Sequence, residues 1–401
     1  MSDDRLVIVG ASLAGLRAVE AARRGGFAGP MTLVGAEPYL PYDRPALSKK
    51  FLHAGGDEDH PPYRTRAELE QDLATEVLLG QPARGLQPDP RSVLVGEREV
   101  PYDRLIIATG AQARELPGLS AQVPGVFYLR TVDDSRALRT ALEAGPKVVV
   151  IGAGFIGSEI ASAARARGLD VTVVEGANLP LVRSVGPDVG TVCADIHRAH
   201  GTQMRLGVPT VGVEQQDGRV SAVVLADGSR LPADVVVVGV GVRPATDWLE
   251  GSSVRLHSRD GGVICDESLW TGVPGVYAAG DVAHVPNPLA DGVALRLEHW
   301  TAAAEMGALA ARNALNPIAP QPCSLIPYFW SDWYEHRLQF VGTTLADDVV
   351  VTNPDTVGFT ALYRRGDRLV GAFTVDRSRD IMKLRRHITR QTAWADVLKV
   401  A

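Results

Sequence analysis

The sequence predicts an α/β protein with two doubly wound parallel domains and a small α+β domain after them. An internal repeat is the first observation: an apolar strand, a glycine turn and a small-residue helix start near Arg5 and again near Lys147. A second apolar strand follows each helix, at 31–34 and 171–174, as in the βαβ opening of a parallel sheet. Beyond the proline-rich stretch 316–322, short β-rich segments alternate with turn residues. These patterns predict two Rossmann-like domains and an α+β domain.

Later apolar segments at 105–110, 235–241 and 276–281 predict how the chain is divided. Since the last of them follows the second repeat, we expect the second domain to be inserted into the first. The predicted domains are residues 1–115 with 244–322, residues 116–243, and residues 323–401. Within the last, antiparallel strands are expected at 329–342, 348–352, 356–366 and 367–375, with a basic helix at about 378–391.

Composition narrows the class of protein. The 401 residues are 45% hydrophobic and 22% charged, with a net charge of −6, so no attraction to nucleic acid is expected. No apolar run has the length of a membrane span, and the first residues lack the pattern of a secretory signal. Cys193, Cys265 and Cys323 form no Cys-x-x-Cys pair, and we expect buried thiols, although a disulfide between distant cysteines stays open. We expect a cytoplasmic enzyme.

The second glycine turn, Gly152-Ala-Gly154-Phe-Ile-Gly157, has the full dinucleotide fingerprint. Its glycines allow the tight turn, the approach of backbone to a pyrophosphate and close helix–strand packing. Glu175 ends the next strand, 23 residues after Gly152, and is placed to accept hydrogen bonds from ribose hydroxyls, although a solvated strand-end charge is the alternative. Together Gly152, Gly154, Gly157 and Glu175 predict a dinucleotide-binding site.

The first glycine turn, Gly10-Ala-Ser12-Leu-Ala-Gly15, has serine in place of the second glycine. That serine adds a Cβ where backbone should approach phosphate, so this copy alone is ambiguous. Glu37 again follows a strand, and Asp281 follows a later one. Together with the second copy, these residues predict another dinucleotide site, although Asp281 could also be a helix N-cap.

Several segments together resemble the FAD-dependent ferredoxin reductases of bacterial haem-thiolate monooxygenases and ring-hydroxylating dioxygenases. The resemblance covers essentially the whole chain and implies a glutathione-reductase-like fold. The segment Arg-Pro-x-Leu-Ser-Lys at 44–49 and Phe-Trp-Ser-Asp at 329–332 are more discriminating than the glycine turns. The segments that carry it are 10–15, 41–49, 108–110, 152–159, 241–244, 280–281, 297–300 and 329–332.

The resemblance implies two cofactors, FAD and NADH, and roles for individual residues. Lys49 and Glu159 would meet beside the flavin where the nicotinamide docks, and Glu298 would lie near the carboxamide; these are the candidate catalytic residues. Trp330 would lie near the flavin on the side that faces the partner, whereas Trp333 is expected to be a core aromatic. The implied FAD contacts are Gly10, Ser12, Ala14, Gly15, Glu37, Arg44, Lys49, Ala83, Thr109, Gly110, Arg130, Asp281, Trp300 and Trp330. The implied NADH contacts are Gly152, Gly154, Ile156, Gly157, Glu159, Glu175 and Gly241.

The resemblance also implies a reaction: NADH passes a hydride to FAD, which releases single electrons to a 2Fe–2S ferredoxin that feeds an oxygenase, expected to be a haem-thiolate monooxygenase. A disulfide reductase would need a cysteine pair near 40–49, and none is present. A redox-sensing flavoprotein that binds NADH without efficient turnover remains the alternative.

We expect an acidic ferredoxin to dock near Trp330, Arg64, Arg66 and the basic C-terminal helix. Residues 363–391 contain nine Lys or Arg and three Asp, a net charge of +6. Neither nucleic acid nor a membrane is an expected partner. No metal site is predicted, because His53, His60, His284 and His299 have no metal-ligand spacing.

Overall fold

The computed structural model describes residues 4–53, 55, 60–354 and 358–399, so Thr356 and Val357 of one predicted strand lie outside the described residues. The chain forms two compact units. Unit 1 comprises Met1–Asp43, His60–Gln112 and Arg243–Pro327, and unit 2 comprises Arg44–Asp59, Ala113–Val242 and Tyr328–Ala401. The three predicted domains and their boundaries stay predictions, because one compact unit can contain more than one domain.

A five-stranded parallel sheet forms the centre of unit 1. Its strands are short, apolar and buried, as expected for a sheet covered on both faces. Leu6 pairs with Met31 on one side and with Arg104 on the other. In spatial order the strands are Val276–Ala278, Arg104–Ile107, Leu6–Val9, Met31–Val34 and Thr75–Leu78.

Two helices of unit 1, Leu13–Arg24 and Trp300–Leu315, pack against each other. A Cβ on Gly307 would lie 2.1 Å from the carbonyl oxygen of Ala14, so glycine is what allows this close approach. Unit 1 also contains two small three-stranded sheets. One consists of Ala83–Pro88, Arg91–Val95 and Arg98–Pro101, and the other of Val263–Ile264, Ala283–Pro286 and Ala294–Arg296. Its short helices are Glu68–Asp72, Asp247–Leu249 and Pro288–Ala290.

Unit 2 contains a second five-stranded parallel sheet, in which a helix again connects two neighbouring parallel strands. In spatial order its strands are Gln203–Leu206, Val171–Glu175, Val148–Ile151, Val235–Val238 and Val126–Tyr128. Its helices are Val132–Glu143, Phe155–Ala166 and Val182–Ala199, with the short helices Arg44–Ala46 and Lys50–Leu52. An antiparallel sheet contains Thr210–Gln216, Arg219–Leu225 and Arg230–Pro232. Two further strands, Ala111–Ala113 and Val242–Pro244, span the sequence boundaries between the units.

The C-terminal part of unit 2 is a five-stranded antiparallel sheet with a helix. The predicted strand 329–342 is in fact a hairpin that turns at Tyr334 and Glu335. Trp333 is fully buried among other aromatic side chains, which confirms its prediction as a core residue. In spatial order the strands are Tyr328–Trp333, His336–Gly342, Arg368–Val375, Thr360–Arg365 and Asp348–Asn353; the helices are Ser378–Thr389 and Trp394–Val397. Among the described residues, no helix is long and apolar enough to cross a membrane.

Candidate functional site

The glycine turn of unit 1 joins the strand Leu6–Val9 to the helix Leu13–Arg24. Gly10 has φ +126°, and a Cβ there would lie 2.0 Å from the carbonyl oxygen of Ala108. A Cβ on Gly15 would lie 1.9 Å from the carbonyl oxygen of Gly10. The first and third glycines are therefore required by backbone packing, and they turn the helix N-terminus toward the end of the sheet.

The start of this helix suits an anion. Ser12 is the N-cap residue, and the first turn contains no acidic side chain. The N–H groups of that turn and the helix dipole favour a pyrophosphate here. Near the end of the neighbouring strand, Tyr42 donates a 2.6 Å hydrogen bond to Glu37, which holds that carboxylate in place. These residues fit the adenosine diphosphate part of FAD.

A partly buried cluster of polar side chains lies at the start of the helix Trp300–Leu315. The Trp300 indole N–H donates to Asp43 and to Tyr63, both at 3.1 Å, and the Tyr63 hydroxyl donates to Asp43 at 2.5 Å. Burial and the Asp43 carboxylate raise the pKa of Tyr63 well above its ordinary value, so the hydroxyl stays protonated. The Trp300 ring, a predicted flavin neighbour, is thereby held in one orientation.

Asp281, a predicted FAD contact, lies just after the end of the strand Val276–Ala278. A turn and a further strand follow it, so the alternative prediction of a helix N-cap at Asp281 is wrong. Arg296 donates to the Asp281 carbonyl oxygen at 3.0 Å and pairs with Glu298 at 2.7 Å. One guanidinium thus connects two predicted site residues.

Arg296 has a second carboxylate partner, Asp260, in addition to Glu298. The Asp260 carboxylate accepts from the Arg296 Nε at 2.9 Å and contacts the His284 Nε2 at 2.9 Å. Burial works against the charge on Asp260, but the hydrogen bonds from Arg296 and His284 prevail and hold its pKa below the usual range. Asp260 is therefore ionised near neutral pH, and Arg296 has a fixed counter-ion.

The glycine turn of unit 2 has the same construction. Gly152 has φ +101°, and a Cβ there would lie 2.3 Å from the carbonyl oxygen of Gly239; a Cβ on Gly157 would lie 2.1 Å from that of Gly152. At Gly154, by contrast, the nearest protein atom to an added Cβ is 3.9 Å away. Protein packing does not demand glycine at this position, whereas a pyrophosphate lying on the backbone would.

Glu175 points back to this turn. Its carboxylate accepts hydrogen bonds from the backbone N–H groups of Ala153 and Ala177, each at 2.8 Å. The side chain is only partly buried. A carboxylate held beside the glycine turn is placed as a ribose-binding residue should be, so the residues present fit NADH.

Lys49 and Glu159 come together in unit 2. Glu159 lies on the helix Phe155–Ala166 and is only 4% exposed, so its carboxylate is not a solvated charge on the helix surface. Its carboxylate pairs with the Lys49 ammonium at 2.8 Å and accepts hydrogen bonds from Ser48, at 2.5 Å, and from Ser331. Trp333 donates in turn to the Ser331 hydroxyl at 2.8 Å.

This arrangement determines what the pair can do. Three hydrogen-bond donors compensate the negative charge of the buried Glu159 carboxylate. Truncating one of these partners would leave the desolvated charge with fewer donors. Lys49 also donates to the Pro45 carbonyl oxygen at 3.2 Å. An ammonium held at a defined place can stabilise negative charge that develops on a neighbouring group.

Other predicted residues are placed individually. Arg44 donates to the Arg130 carbonyl oxygen at 2.8 Å, so these two residues are neighbours. Thr109 donates to the Ala245 carbonyl oxygen at 2.8 Å.

The Trp330 ring has the Arg337 guanidinium 5.8 Å from its centroid. Ala83 begins the strand Ala83–Pro88, Ile156 lies in the first turn of the helix Phe155–Ala166, and Gly110 and Gly241 have φ of +67° and +100°.

Both arginines of unit 1 that were predicted to contact a partner are paired within the chain. Arg64 contacts Glu20 at 2.9 Å and Glu68 at 3.2 Å, and Arg66 contacts Glu70 at 2.6 Å. Their charge is locally balanced, which reduces their attraction for an acidic surface.

Sequence patterns did not single out Asp43, Tyr63, Ser48 or Ser331. Asp43, Ser48 and Ser331 lie inside the motifs that carried the family resemblance, at 41–49 and 329–332. Membership of those motifs was the available signal, because serine and aspartate are too common for spacing alone to identify them.

Comparison with known protein families assigns the class. The family model described as pyridine nucleotide-disulphide oxidoreductase matches residues 4–307, and the reductase C-terminal model matches residues 328–398. The chain therefore belongs to the pyridine nucleotide-disulphide oxidoreductase family. The predicted fold class and the use of FAD and NAD(H) are confirmed.

Within that family the chain is similar to several named reductases, including ferredoxin reductases. It is 36% identical to rhodocoxin reductase of Rhodococcus erythropolis over 95% of this chain and 88% of the relative, and 31% identical to putidaredoxin reductase of Pseudomonas putida over 97% and 92%. A crystal structure of a ferredoxin reductase from Rhodopseudomonas palustris matches with a TM-score of 0.88 and 35% identity, covering 94% and 92%. The covalent putidaredoxin reductase–putidaredoxin complex matches with a TM-score of 0.91 and 31% identity, covering 98% and 94%.

Proposed function

We propose that this chain is the NADH-dependent reductase that supplies a 2Fe–2S ferredoxin in an oxygenase system, expected to be a haem-thiolate monooxygenase, in the cytoplasm. The full-length similarity to ferredoxin reductases supports this proposal, and the Lys49–Glu159 pair is the single structural observation that carries it. When bound, FAD supplies the chemistry that converts the two electrons of NADH into single-electron steps.

The residues of the chain supply position and charge. The two glycine turns would hold the pyrophosphates, with Gly10 and Gly15 for FAD and Gly152 and Gly157 for NADH. Asp281, Arg44 and Arg130 would hold the rest of FAD, with Trp300 beside the ring system. Lys49, kept in place by Glu159, would provide positive charge near the flavin, and Glu298, held by Arg296, would face the carboxamide.

The function is tested by following cytochrome c reduction at fixed NADH with added 2Fe–2S ferredoxins. We expect the purified protein to release FAD on denaturation and to show ferredoxin-dependent turnover. A redox sensor, the alternative function, would be reduced by NADH in stopped flow but would show no turnover that depends on any ferredoxin.

Glu175 should set the preference for NADH over NADPH. Its fixed carboxylate would repel a 2′-phosphate, and the following residues, 176–178, include no cation. We expect kcat/KM to favour NADH by at least about tenfold, since one uncompensated charge contact is worth on the order of 1–3 kcal/mol. Glu175→Gln should reduce the discrimination, whereas Glu250→Gln, an exposed control in unit 1, should not. Equal kcat/KM for the two nucleotides in the wild-type protein would refute the assignment.

The partner is an acidic ferredoxin that docks near Trp330. The basic helix Ser378–Thr389 supports this surface: the Arg385 guanidinium lies 5.9 Å from the ring centroid of Tyr328, on the strand of Trp330, and Arg386 is exposed. Arg64 and Arg66 remain part of the proposed surface, with a smaller contribution because they are paired.

Charge reversal tests this docking surface. Arg385→Glu with Arg386→Glu should raise the KM for ferredoxin at least about threefold at low salt and less at high salt, because exposed charges are screened. Arg64→Glu with Arg66→Glu should have a smaller effect. Arg198→Glu, on the helix Val182–Ala199, is the control. Wild-type ferredoxin kinetics in both double variants, or an equal slowing of flavin reduction by NADH, would contradict the proposal.

A further inference from the structure

Three side chains of unit 2 direct metal-ligand atoms toward one point. They are His200, at the end of the helix Val182–Ala199, and Glu335 and His336, at the turn of the hairpin between Tyr328–Trp333 and His336–Gly342. One ligand atom from each lies within 4.8 Å of the other two. The His200 Nε2 is 2.9 Å from one Glu335 oxygen, and the His336 Nε2 is 3.9 Å from the other.

Hydrogen bonds on the far side of each ring determine which nitrogen faces the cluster. The His200 Nδ1 lies 2.8 Å from the Ile196 carbonyl oxygen, which can only accept, so Nδ1 holds the proton. The His336 Nδ1 lies 2.7 Å from an Asp376 oxygen. Imidazoles that ligate metals have this arrangement, with the outer nitrogen donating to a carbonyl or carboxylate and the inner nitrogen left for the ion.

The electrostatics of the cluster call for a cation. In neutral imidazoles with Nδ1 protonated, both Nε2 lone pairs face the Glu335 carboxylate, and these acceptors repel one another unless a proton or a metal ion lies between them. A divalent ion among the three ligand atoms would accept both imidazole lone pairs and balance the carboxylate charge.

Packing around the cluster keeps it in shape. Tyr334 has φ +55°, a conformation that non-glycine residues seldom adopt, and its ring stacks on His200 with centroids 4.0 Å apart. Its backbone N–H donates to Ser162 at 2.5 Å, and its hydroxyl bonds to Thr202 at 2.7 Å. A strained residue held by several contacts is typical of a site whose geometry is determined by its surroundings.

A second histidine group, in unit 1, lacks these properties. His257, Asp260 and His284 also bring ligand atoms close together. There, however, the Asp260 carboxylate already pairs with the Arg296 guanidinium at 2.9 Å, and a fixed positive charge beside the carboxylate disfavours a metal ion. This group serves as an internal comparison.

We propose that His200, Glu335 and His336 bind one divalent transition-metal ion of the Zn²⁺ type. Two imidazole nitrogens and one carboxylate oxygen are a ligand set that Zn²⁺ accepts, with water completing the coordination. The ion would connect the end of the helix Val182–Ala199 to the hairpin that contains Ser331 and Trp330. Its role is structural: it would stabilise the attachment of the C-terminal sheet to that helix, and it takes no part in electron transfer.

Titration with ZnCl₂ tests the site in the FAD-loaded protein after treatment with a chelator. At pH 7.5 we expect one ion per chain and a rise in the thermal midpoint that the chelator reverses. Glu335→Gln and His200→Gln should each weaken binding at least about tenfold. Asp376→Asn, which replaces the charged outer hydrogen-bond acceptor of His336 with a neutral one, should weaken binding by about 10- to 100-fold. Glu335 is 69% exposed, so its variant should fold normally, as unchanged FAD content and an unchanged metal-free midpoint would verify.

His257→Gln is the matched control and should leave Zn²⁺ binding unchanged. Binding at pH 5.5 should be weaker than at pH 7.5, because protons compete for both imidazoles. The proposal is overturned if the wild-type protein shows no saturable binding. It is also overturned if Glu335→Gln and His200→Gln bind as the wild-type protein does, or if His257→Gln abolishes binding.

Discussion

The buried carboxylate of Glu159 shows how much of this site depends on single hydrogen bonds. Lys49 and Glu159 could be predicted from sequence because they lie in motifs of a recognisable family. The serines that orient them were not predicted, because serine is too common to stand out within those motifs, and Ser48 and Ser331 lie 111 and 172 positions from Glu159 along the chain. Only folding brings those hydroxyls to the carboxylate.

Ser331→Ala should separate positioning from simple stability. The change removes a donor to Glu159 and leaves the Trp333 indole N–H without its acceptor. Each lost partner of a buried group costs about 1–3 kcal/mol, so the thermal midpoint should fall. If the carboxylate positions Lys49, flavin reduction by NADH should also slow and its pH profile should shift. Ser120→Ala, at an exposed serine of unit 2, should do neither, and a lower midpoint with an unaltered rate and pH profile would leave Ser331 a purely structural role.

The strands and helices follow the sequence pattern closely where apolar residues repeat. Both βαβ openings were predicted because a buried parallel strand is a continuous apolar run before a glycine turn. The hairpin turn at Tyr334 and Glu335 was not, because neither residue has the turn chemistry of glycine, asparagine or proline. Tertiary contacts of Tyr334 impose that turn, and no local rule could reveal them.

Gly154→Ala and Gly157→Ala should differ in a way that identifies the phosphate site. Gly154 has φ −81° and free space around an added Cβ, so alanine should change the free energy of unfolding by less than about 0.5 kcal/mol. NADH binding should nonetheless weaken about tenfold or more, because the methyl group would meet the pyrophosphate. At Gly157 the methyl group meets the Gly152 carbonyl oxygen, and the loss of stability should be about 1–3 kcal/mol. Chemical denaturation and NADH titration measure both quantities, and unaltered NADH affinity in Gly154→Ala would contradict the assignment.

At the scale of the whole molecule, the cysteines set this chain apart from the disulfide reductases that share its fold. Cys193, Cys265 and Cys323 are all buried and free. Burial raises the pKa of each thiol, that of Cys323 to about 11, so almost no thiolate exists near neutral pH.

The native protein should therefore react with no equivalents of a thiol reagent such as DTNB at pH 7.5, and with three after denaturation in guanidinium. NADH should not reduce DTNB through the enzyme. Rapid labelling of one or more cysteines in the folded protein would show that a thiol is accessible and would reopen the question of a thiol mechanism. Parallel titrations of folded and unfolded protein provide the control.

The interrupted first unit has a consequence for how the protein is made. Val276 pairs with Leu105, so the sheet of unit 1 lacks an edge strand until the ribosome has translated all of residues 106–275. Until then the strand Arg104–Ile107 exposes a free, apolar edge, while the parallel sheet of unit 2 can already form from residues that have emerged. Synthesis from the N-terminus thus favours completion of the second sheet before the first, and the nascent first unit is the stage at which chaperones would be most needed.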